Sequence, residues 1–527
     1  MARSFNLVDE KFIPCRWLDG RDEEASIRDA LLRAPEIREI RDDSPLVTIA
    51  LHRLLLAILH RTLGPPDLTT WGKTWSARCF DAGAVGDYLD KWRQRFDLCD
   101  PDRPFYQATG IGDANEVSVW RLALVQGNNA TLFDHRMEHE EPCIPAALAA
   151  RLLIAYQAFA VGGGVSQPFN FMHSPIVREG GFLVLLNGEN LFETLWLNAV
   201  CYDQTRPIPG TVGDVPAWER DELEAPRREG NVPLGYIDYL TWQSRRIQLI
   251  PDASEPTTFS RMRMLQGFCT PSTLELREPM AGYFKTQKGE FRAKSLQQGR
   301  AVWRDCHALI QELCEEFQPP VALLQLAESK WRELLEPSRT FVLAALGLES
   351  DRAKISLWRH ETMPLPLAYV GNPELRGDMA QAIQAAEDAA RALRRAIRRL
   401  AELASQTQDN ARPDPQRVDQ LAQSFGVEPR YWARMEPAFR RFMLDLPGDS
   451  EHRGTCLSAW DEKVCGAARQ VFDAAVFGSD LSPRVLKAAL QSGDSPGRWG
   501  ATQQLNIELA KIPKKETQDD QITAGTS

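Results

Sequence analysis

Histidine and cysteine are scarce in this chain, with eight and ten residues among 527. The cysteines fall at positions 15, 79, 99, 143, 201, 269, 306, 314, 456 and 465 and form no C-x-x-C pair. That spacing excludes a dithiol redox motif, a zinc ribbon and an iron–sulfur site, and it fits scattered thiols in a reducing compartment. No window reaches the roughly 18 continuous apolar residues of a membrane span. The first residues, MARSFNLVDEKF, lack a basic-then-apolar leader, so a cytoplasmic location is expected. There is no G-x-x-x-x-G-K-[ST], no G-x-G-x-x-G after a strand and no G-x-S-x-G elbow, which removes the common nucleotide-hydrolase and serine-hydrolase signatures. No repeat of 20–50 residues is visible.

What is present is the balance of a globular protein: 43% apolar, 25% charged and 9% aromatic residues. Seventy-two acidic against 62 basic residues give a net charge of −10. A free-standing, non-specific nucleic-acid coat is usually basic, so any nucleic-acid contact has to be local. The length allows two to four domains. Up to about residue 365 the chain mixes short strands, helices and Pro/Gly turns. Phe5–Val8, Phe12–Trp17, Gly181–Asn187 and Thr241–Ile250 read as strands, Leu46 to His60 and Ile144 to Ala160 as apolar helices, and Ser26 with Asp29 as a capping box. The expected fold class is α+β: a mixed N-terminal domain over 1–365, a linker over 366–378, a four-helix bundle over 379–511 and a tail over 512–527. Within 379–404, Ile383, Ala386, Ala390, Leu393, Ile397, Leu400 and Ala404 recur every three or four residues as a helix–helix seam. The other bundle helices are expected at about 415–446, 451–477 and 482–511. From Arg376 onward the chain holds 21 Lys/Arg and 21 Asp/Glu, so the whole acidic excess precedes it.

The pattern His135-x-x-Glu138-His139 is the strongest enzymatic candidate. On a helix, His at i and i+4 could hold zinc with Glu as base, giving a metal-dependent hydrolase. Glu140-Glu141-Pro142 follows at once and no third ligand can be assigned, so a polar surface loop is the competing reading and no metal is expected. Gly162, Gly163 and Gly164 read either as a helix end and flexible turn or as a loop whose missing Cβ atoms admit a phosphate or base edge. Arg391, Arg394, Arg395, Arg398 and Arg399 form one stripe, with no acid between Asp388 and Glu402. The stripe is either a solvated helix face or a row for phosphates or an acidic partner. Asn129 and Phe133 sit in the polar stretch NNATLFDH, where Phe133 either anchors its own loop or stacks on a base. Asp351, Arg352 and Ala353, followed by Lys354, form a polar turn that is either a hairpin tip or a wedge for a duplex.

Several segments together resemble the CasA family, the large subunit of the type I-E CRISPR surveillance complex Cascade. They are FNLVDEKFIPCRW at the start, FDLCDPDRPFYQ at 96–107, NNATLFDH at 128–135, VGGG at 161–164, GDVPAW at 213–218, GYIDYLTWQSRRIQL at 235–249 and DRAKISLWRHE at 351–361. They occur in the family's order over nearly the whole chain. The resemblance implies a non-catalytic, cofactor-free subunit. It would read a protospacer-adjacent motif in double-stranded target DNA, start strand separation for the R-loop and recruit a helicase-nuclease in antiviral defence. Its partners would be the CRISPR RNA-containing complex and the other Cascade subunits, and no membrane. Sequence specificity beyond the motif would belong to the guide. Residue by residue, the family's glycine loop falls on Gly162–Gly164 (with Ala160 where some members have glycine), its loop aromatic on Phe133, and its wedge on Asp351, Arg352 and Ala353. Arg352 stands where some members have glutamine. A motif-contacting lysine of some members falls near 261–266, where Met264 stands, so Arg261 or Arg263 would substitute. A cysteine cluster that some members carry near residue 250 is absent here. A scaffold subunit without DNA contact remains a rival.

Overall fold

The most apolar stretch of the chain forms helix α1 (Pro45–Leu63), which opens with Pro in its first turn after Ser44 and stops at Gly64, φ +93°. Sixteen of its nineteen residues are buried, as expected for a helix apolar on every side. By length and composition it could cross a membrane, yet 83% of that window is enclosed by the protein, so it is a core helix. Its one buried arginine, Arg53, sets Nη1 2.9 Å from Glu278 Oε1. Tyr239 donates its hydroxyl to the other carboxylate oxygen at 2.8 Å. Truncating either ionic partner would strand a buried charge, at a cost of about 3–5 kcal/mol. Helix α2 (Ala146–Phe159) packs against α1.

The computed structural model describes residues 4–65, 67–124, 143–201, 208, 213–221, 224–253, 255, 257–310, 316–351, 354–405, 413–478, 482–495 and 499–512. The chain divides into two compact units, Met1–Met363 and Pro364–Ser527. In the first, β1 (Ile13–Trp17), β2 (Asp22–Ala25) and β3 (Ile37–Ile40) form an antiparallel sheet in the order β2-β1-β3. Further along come β4 (Glu116–Ser118), β5 (Ile144–Pro145), β6 (Leu183–Asn187), β7 (Arg245–Pro251) and β8 (Thr258–Gln266). β8 pairs with β7 on one side and with β4 and β5 on the other. A small sheet joins β9 (Tyr283–Lys285), β10 (Phe291–Ala293) and β11 (Phe317–Gln318), and a hairpin of β12 (Thr340–Asp351) and β13 (Lys354–Pro366) adds to β6.

The expected mixture of helix and sheet is present. The capping box forms: Ser26 accepts from the Asp29 N–H at 3.0 Å and Asp29 reaches back to the Ser26 N–H. Phe5–Val8 is a turn with a single bridge, Asn6 to Asp97, rather than a strand. β7 begins at Arg245 rather than Thr241, because Thr241 ends the helical turn Tyr236–Leu240.

In the second unit α3 (Pro373–Ser405) is the central helix. Of the seven seam residues, Ile383, Ala386, Ala390, Leu393, Ile397 and Leu400 are buried and Ala404 is half-buried. The unit holds six helices among the described residues where the sequence leads one to expect four. The span expected at 415–446 is two helices, α4 (Pro415–Ser424) and α5 (Val427–Asp445), because Gly426 takes a left-handed conformation, φ +56°. α6 (Ser450–Phe477) is continuous. The last expected helix is α7 (Pro483–Leu490) and α8 (Ala501–Leu509), separated by the Gly- and Pro-rich residues 491–500. The segment expected as a linker holds the turn Leu367–Tyr369 and the first residues of α3. Buried donors staple the helices together: Tyr431 to the Ala386 carbonyl at 3.0 Å and the Trp460 indole to the Ala382 carbonyl at 2.8 Å.

Candidate nucleic-acid interface

β8 organises the site. Phe259, Met262, Met264 and Gln266 point inward and are buried. The register shift between Ile250 and Pro251 of β7 absorbs the extra residue between Phe259 and Met262. Arg261 and Arg263 therefore face outward, opposite Ile250 and Gln248 of β7. On the other side they lie opposite Ser118 and Glu116 of β4. Glu116 divides its carboxylate between them: Oε1 lies 2.6 Å from Arg263 Nη2, and Oε2 lies 3.4 Å from Arg261 Nε. Met264 is in the core, so the outward positions on this strand belong to the two arginines.

The three glycines follow α2. The backbone returns on itself through Ser174 N–H to the Ala160 carbonyl at 2.8 Å and Gly163 N–H to the Phe171 carbonyl at 2.8 Å. Gly162 is needed for close approach: a Cβ there would lie 2.7 Å from the His173 nitrogen and 2.9 Å from the Met172 carbonyl carbon. Gly163 and Gly164 are exposed, with φ of +105° and +90°. Next to them Val165 is 89% exposed. None of the three is the helix cap, which is Ala160 in an extended conformation. Gly162 is thus a packing residue, while Gly163 and Gly164 form a bare, outward tip.

The loop is tied to the C-terminal end of β8. Gln266 donates its N–H to Ser166 Oγ at 2.9 Å and accepts from the Met172 N–H through Oε1 at 2.7 Å. Beneath it Arg245, 2% exposed, donates to the Val161 carbonyl at 2.9 Å and sets its guanidinium 4.9 Å from the Phe171 ring centre. Burial pulls its pKa below the ordinary arginine value. Gly162 donates its N–H to His173 Nδ1 at 3.0 Å, which requires a neutral imidazole with a bare Nδ1. Burial, and then the nearby Arg245 charge, lower the His173 pKa and favour that form. Glu116, Arg245 and Gln266 escape a reading by motif. The only signal for Arg245 is a charged pair, Arg245-Arg246, at the start of an apolar run.

Asn129 and Phe133, with His135, Glu138 and His139, lie outside the described residues. The chain on either side is nevertheless placed: Ser118 of β4 lies opposite Arg261, and Ile144 of β5 opposite Phe259. The described strands that flank residues 125–142 thus both pair with one edge of β8. Arg352 and Ala353 also lie outside the described residues; Asp351 closes β12 and Lys354 opens β13.

The stripe on α3 differs from the local reading of its charge. The surplus inferred from the absence of acids between Asp388 and Glu402 is met by these two bounding acids and by three carboxylates from other helices. Arg391 pairs with Asp388, Arg394 with Glu428 at 3.4 Å, and Arg395 with Glu508 at 3.1 Å. Arg398 pairs with Asp419, and Arg399 with Glu402 at 3.5 Å. Five arginines thus meet five carboxylates.

The family model of CRISPR-associated protein Cse1 matches residues 6–471. The chain belongs to the Cse1 family. It is 33% identical over 511 residues to a CRISPR-associated protein CasA/Cse1 of Thermus thermophilus, covering 94% of this chain and 97% of that protein. The crystal structure of Cse1 from Acidimicrobium ferrooxidans superposes with a TM-score of 0.79 at 25% identity, over 97% and 98% of the two chains. A chain of a CRISPR RNA-guided surveillance complex shares the fold, with a TM-score of 0.72 at 20% identity over 97% and 99% of the two chains. For a Cse1 chain, the elements gathered on β8 are the glycine loop, two outward arginines and the strands that flank residues 125–142.

Proposed function

We propose that this Cse1 chain is the non-catalytic large subunit of an RNA-guided Cascade complex, and that it reads the protospacer-adjacent motif of target DNA as duplex. The observation that carries the reading is the convergence on β8 of Gly163, Gly164, Arg261 and Arg263 with the strands that flank residues 125–142. A Cβ-free backbone at Gly163 and Gly164 can approach a groove that side chains would block, although the Gly163 N–H is already donated to Phe171. The flanking guanidiniums supply phosphate contacts. Phe133 is the stacking candidate of the adjoining segment, and Arg352 at the turn after β12 is the wedge that opens the first base step, which guide pairing then repays. Minor-groove reading is degenerate and suits tolerance of related motifs. Recruitment of a helicase-nuclease belongs to the same proposal, as does work in the cytoplasm.

The test is a binding series with the reconstituted complex on duplexes that differ only in the flanking motif, comparing the parent with Gly164→Ala. Gly164 is the informative position, because nothing lies nearer than 3.9 Å to a Cβ there, whereas Gly162→Ala would disturb the loop's own packing. The positive φ still makes Ala cost about 1 kcal/mol locally. The expected result is that discrimination between motifs collapses by about tenfold or more while the subunit still assembles. Unchanged discrimination would return the loop to a structural role.

A further inference from the structure

Two of the segments that carry the family likeness have no part in the β8 site as described, yet they converge with a third, 235–249, that pairs with β8. Residues from 96–107, 213–218 and 235–249 line one cavity of about 520 Å3 that adjoins the end of β8 at Gly267 and Phe268. One side is backed by aromatic residues that are themselves largely buried, with Phe105 1%, Tyr106 8% and Trp218 5% exposed. Phe105 and Tyr106 stack with centroids 4.3 Å apart and planes 7° apart, and Trp218 lies 6.2 Å from each. Tyr106 holds a left-handed backbone, φ +55°, which a non-glycine residue keeps only when its surroundings over-determine it.

The charge of the lining is the second observation. It holds five arginines, 95, 103, 220, 245 and 246, against three carboxylates, Asp102, Asp221 and Glu224. Asp221 is exposed, and it accepts from Arg95 Nη2 at 2.7 Å and from Arg103 Nη1 at 2.5 Å through one oxygen. Glu224 faces Arg227, and Arg220 is held by the buried Asp238 at 2.6 Å. Arg246 makes no hydrogen bond or ion pair among the described residues and is half-buried. Two guanidiniums converging on an exposed carboxylate are already arranged for a planar or tetrahedral oxyanion. The volume lies within the roughly 300–1,000 Å3 of ordinary ligand sites.

We propose that this cavity binds a nucleotide unit, with the phosphate on Arg95, Arg103 and Arg246 and the base against the Phe105–Tyr106–Trp218 wall. A bare inorganic anion would leave the aromatic wall unused, and a neutral aromatic would leave the cationic surplus unused. A nucleotide answers both, either as a free mononucleotide or as an extrahelical residue of a nucleic acid. Asp221 occupies the guanidiniums in the absence of ligand and competes with the phosphate. The proposal does not depend on motif reading by the glycine loop.

The experiment is isothermal titration of the full chain with AMP, GMP, CMP and UMP, with inorganic phosphate, and with a short single-stranded oligoribonucleotide. Binding of at least one mononucleotide or of the oligonucleotide is expected, weakened about tenfold or more by Arg103→Ala and by Arg246→Ala. Asp221→Asn, which removes the competing carboxylate, should tighten it about threefold or more. That sign separates a ligand site from a structural clip, for which Asp221→Asn and Arg103→Ala would act alike. Binding of a mononucleotide marks a free nucleotide as the source, and binding of the oligonucleotide alone marks a nucleic acid. No binding of any of these up to millimolar concentration, phosphate binding as tightly as the nucleotides, or nucleotide binding indifferent to both arginine variants would overturn the assignment.

Discussion

Arg261 and Arg263 on β8 share one carboxylate, whereas the five arginines on α3 meet five. Along the sequence the second group is the more conspicuous, since five cations on one helical face outweigh two on a short strand. In space the order reverses. The strand pair is half-exposed on β8, with Glu116 divided between its two guanidiniums. The helical row is an internal ion-pair lattice that ties α3 to α4, α5 and α8. What a cationic cluster can offer to DNA is set by which carboxylates the fold returns to it, and for three of the five α3 arginines those lie 21 or more residues away.

The largest expected effect tests the helical side of that contrast. Replacing all five α3 arginines by glutamine should destabilise the second unit by about 1–5 kcal/mol, at about 0.2–1 kcal/mol per exposed pair. Hydrogen exchange across residues 373–509 would read it. The dependence of target binding on salt should stay as in the parent. A marked drop in that slope with exchange protection intact would break the comparison and make the row a phosphate surface.

Much of the framework can be read from residue pattern, and the reasons for success and failure are physical. α1 and α2 are legible because their apolar content exceeds what any strand needs, and the α3 seam because its period is helical. The break at Gly426 is not legible: a glycine inside a helical pattern costs only about 1 kcal/mol, and tertiary packing decides whether it bends the chain. β12 is obscured because FVLAALGLES carries no alternation; a strand buried on both faces and a helix segment look alike in so short a run. In the site, the glycines are visible as a cluster. Their division of labour depends on residues 171–173 packing against Gly162, and no local pattern reports that. Gln266 and Glu116 act only through pairing across the β8 sheet, so they carry no motif.

The next effect tests the strand side. Arg261→Ala with Arg263→Ala should weaken binding of the reconstituted complex to a correct target about tenfold, and lower the salt slope by about one to two units. Glu116→Gln, which removes the negative charge shared by both guanidiniums, should act in the opposite direction by a few-fold. If the double variant binds as the parent does, or if Glu116→Gln weakens binding, the outward face of β8 is structural and the contrast with α3 disappears.

The smallest effect is a dependence on pH that belongs to one region alone. The glycine loop is held by the Gly162 N–H donated to a neutral His173, and both burial and Arg245 depress that imidazole's pKa. A histidine whose folded-state pKa is lowered contributes stability that is complete above its ordinary value and is lost as pH falls toward the lowered one. Acidification from pH 7.5 to 5.5 should therefore loosen the loop slightly, costing about two- to threefold in target affinity. His173→Gln, which keeps a hydrogen-bond acceptor and cannot charge in this range, should remove that decline. The α3 lattice is built of arginines and carboxylates and holds no histidine, so protection along α3 should stay level over the same interval. A decline that persists in His173→Gln would assign the pH sensitivity to another group and leave the loop's closure independent of its histidine.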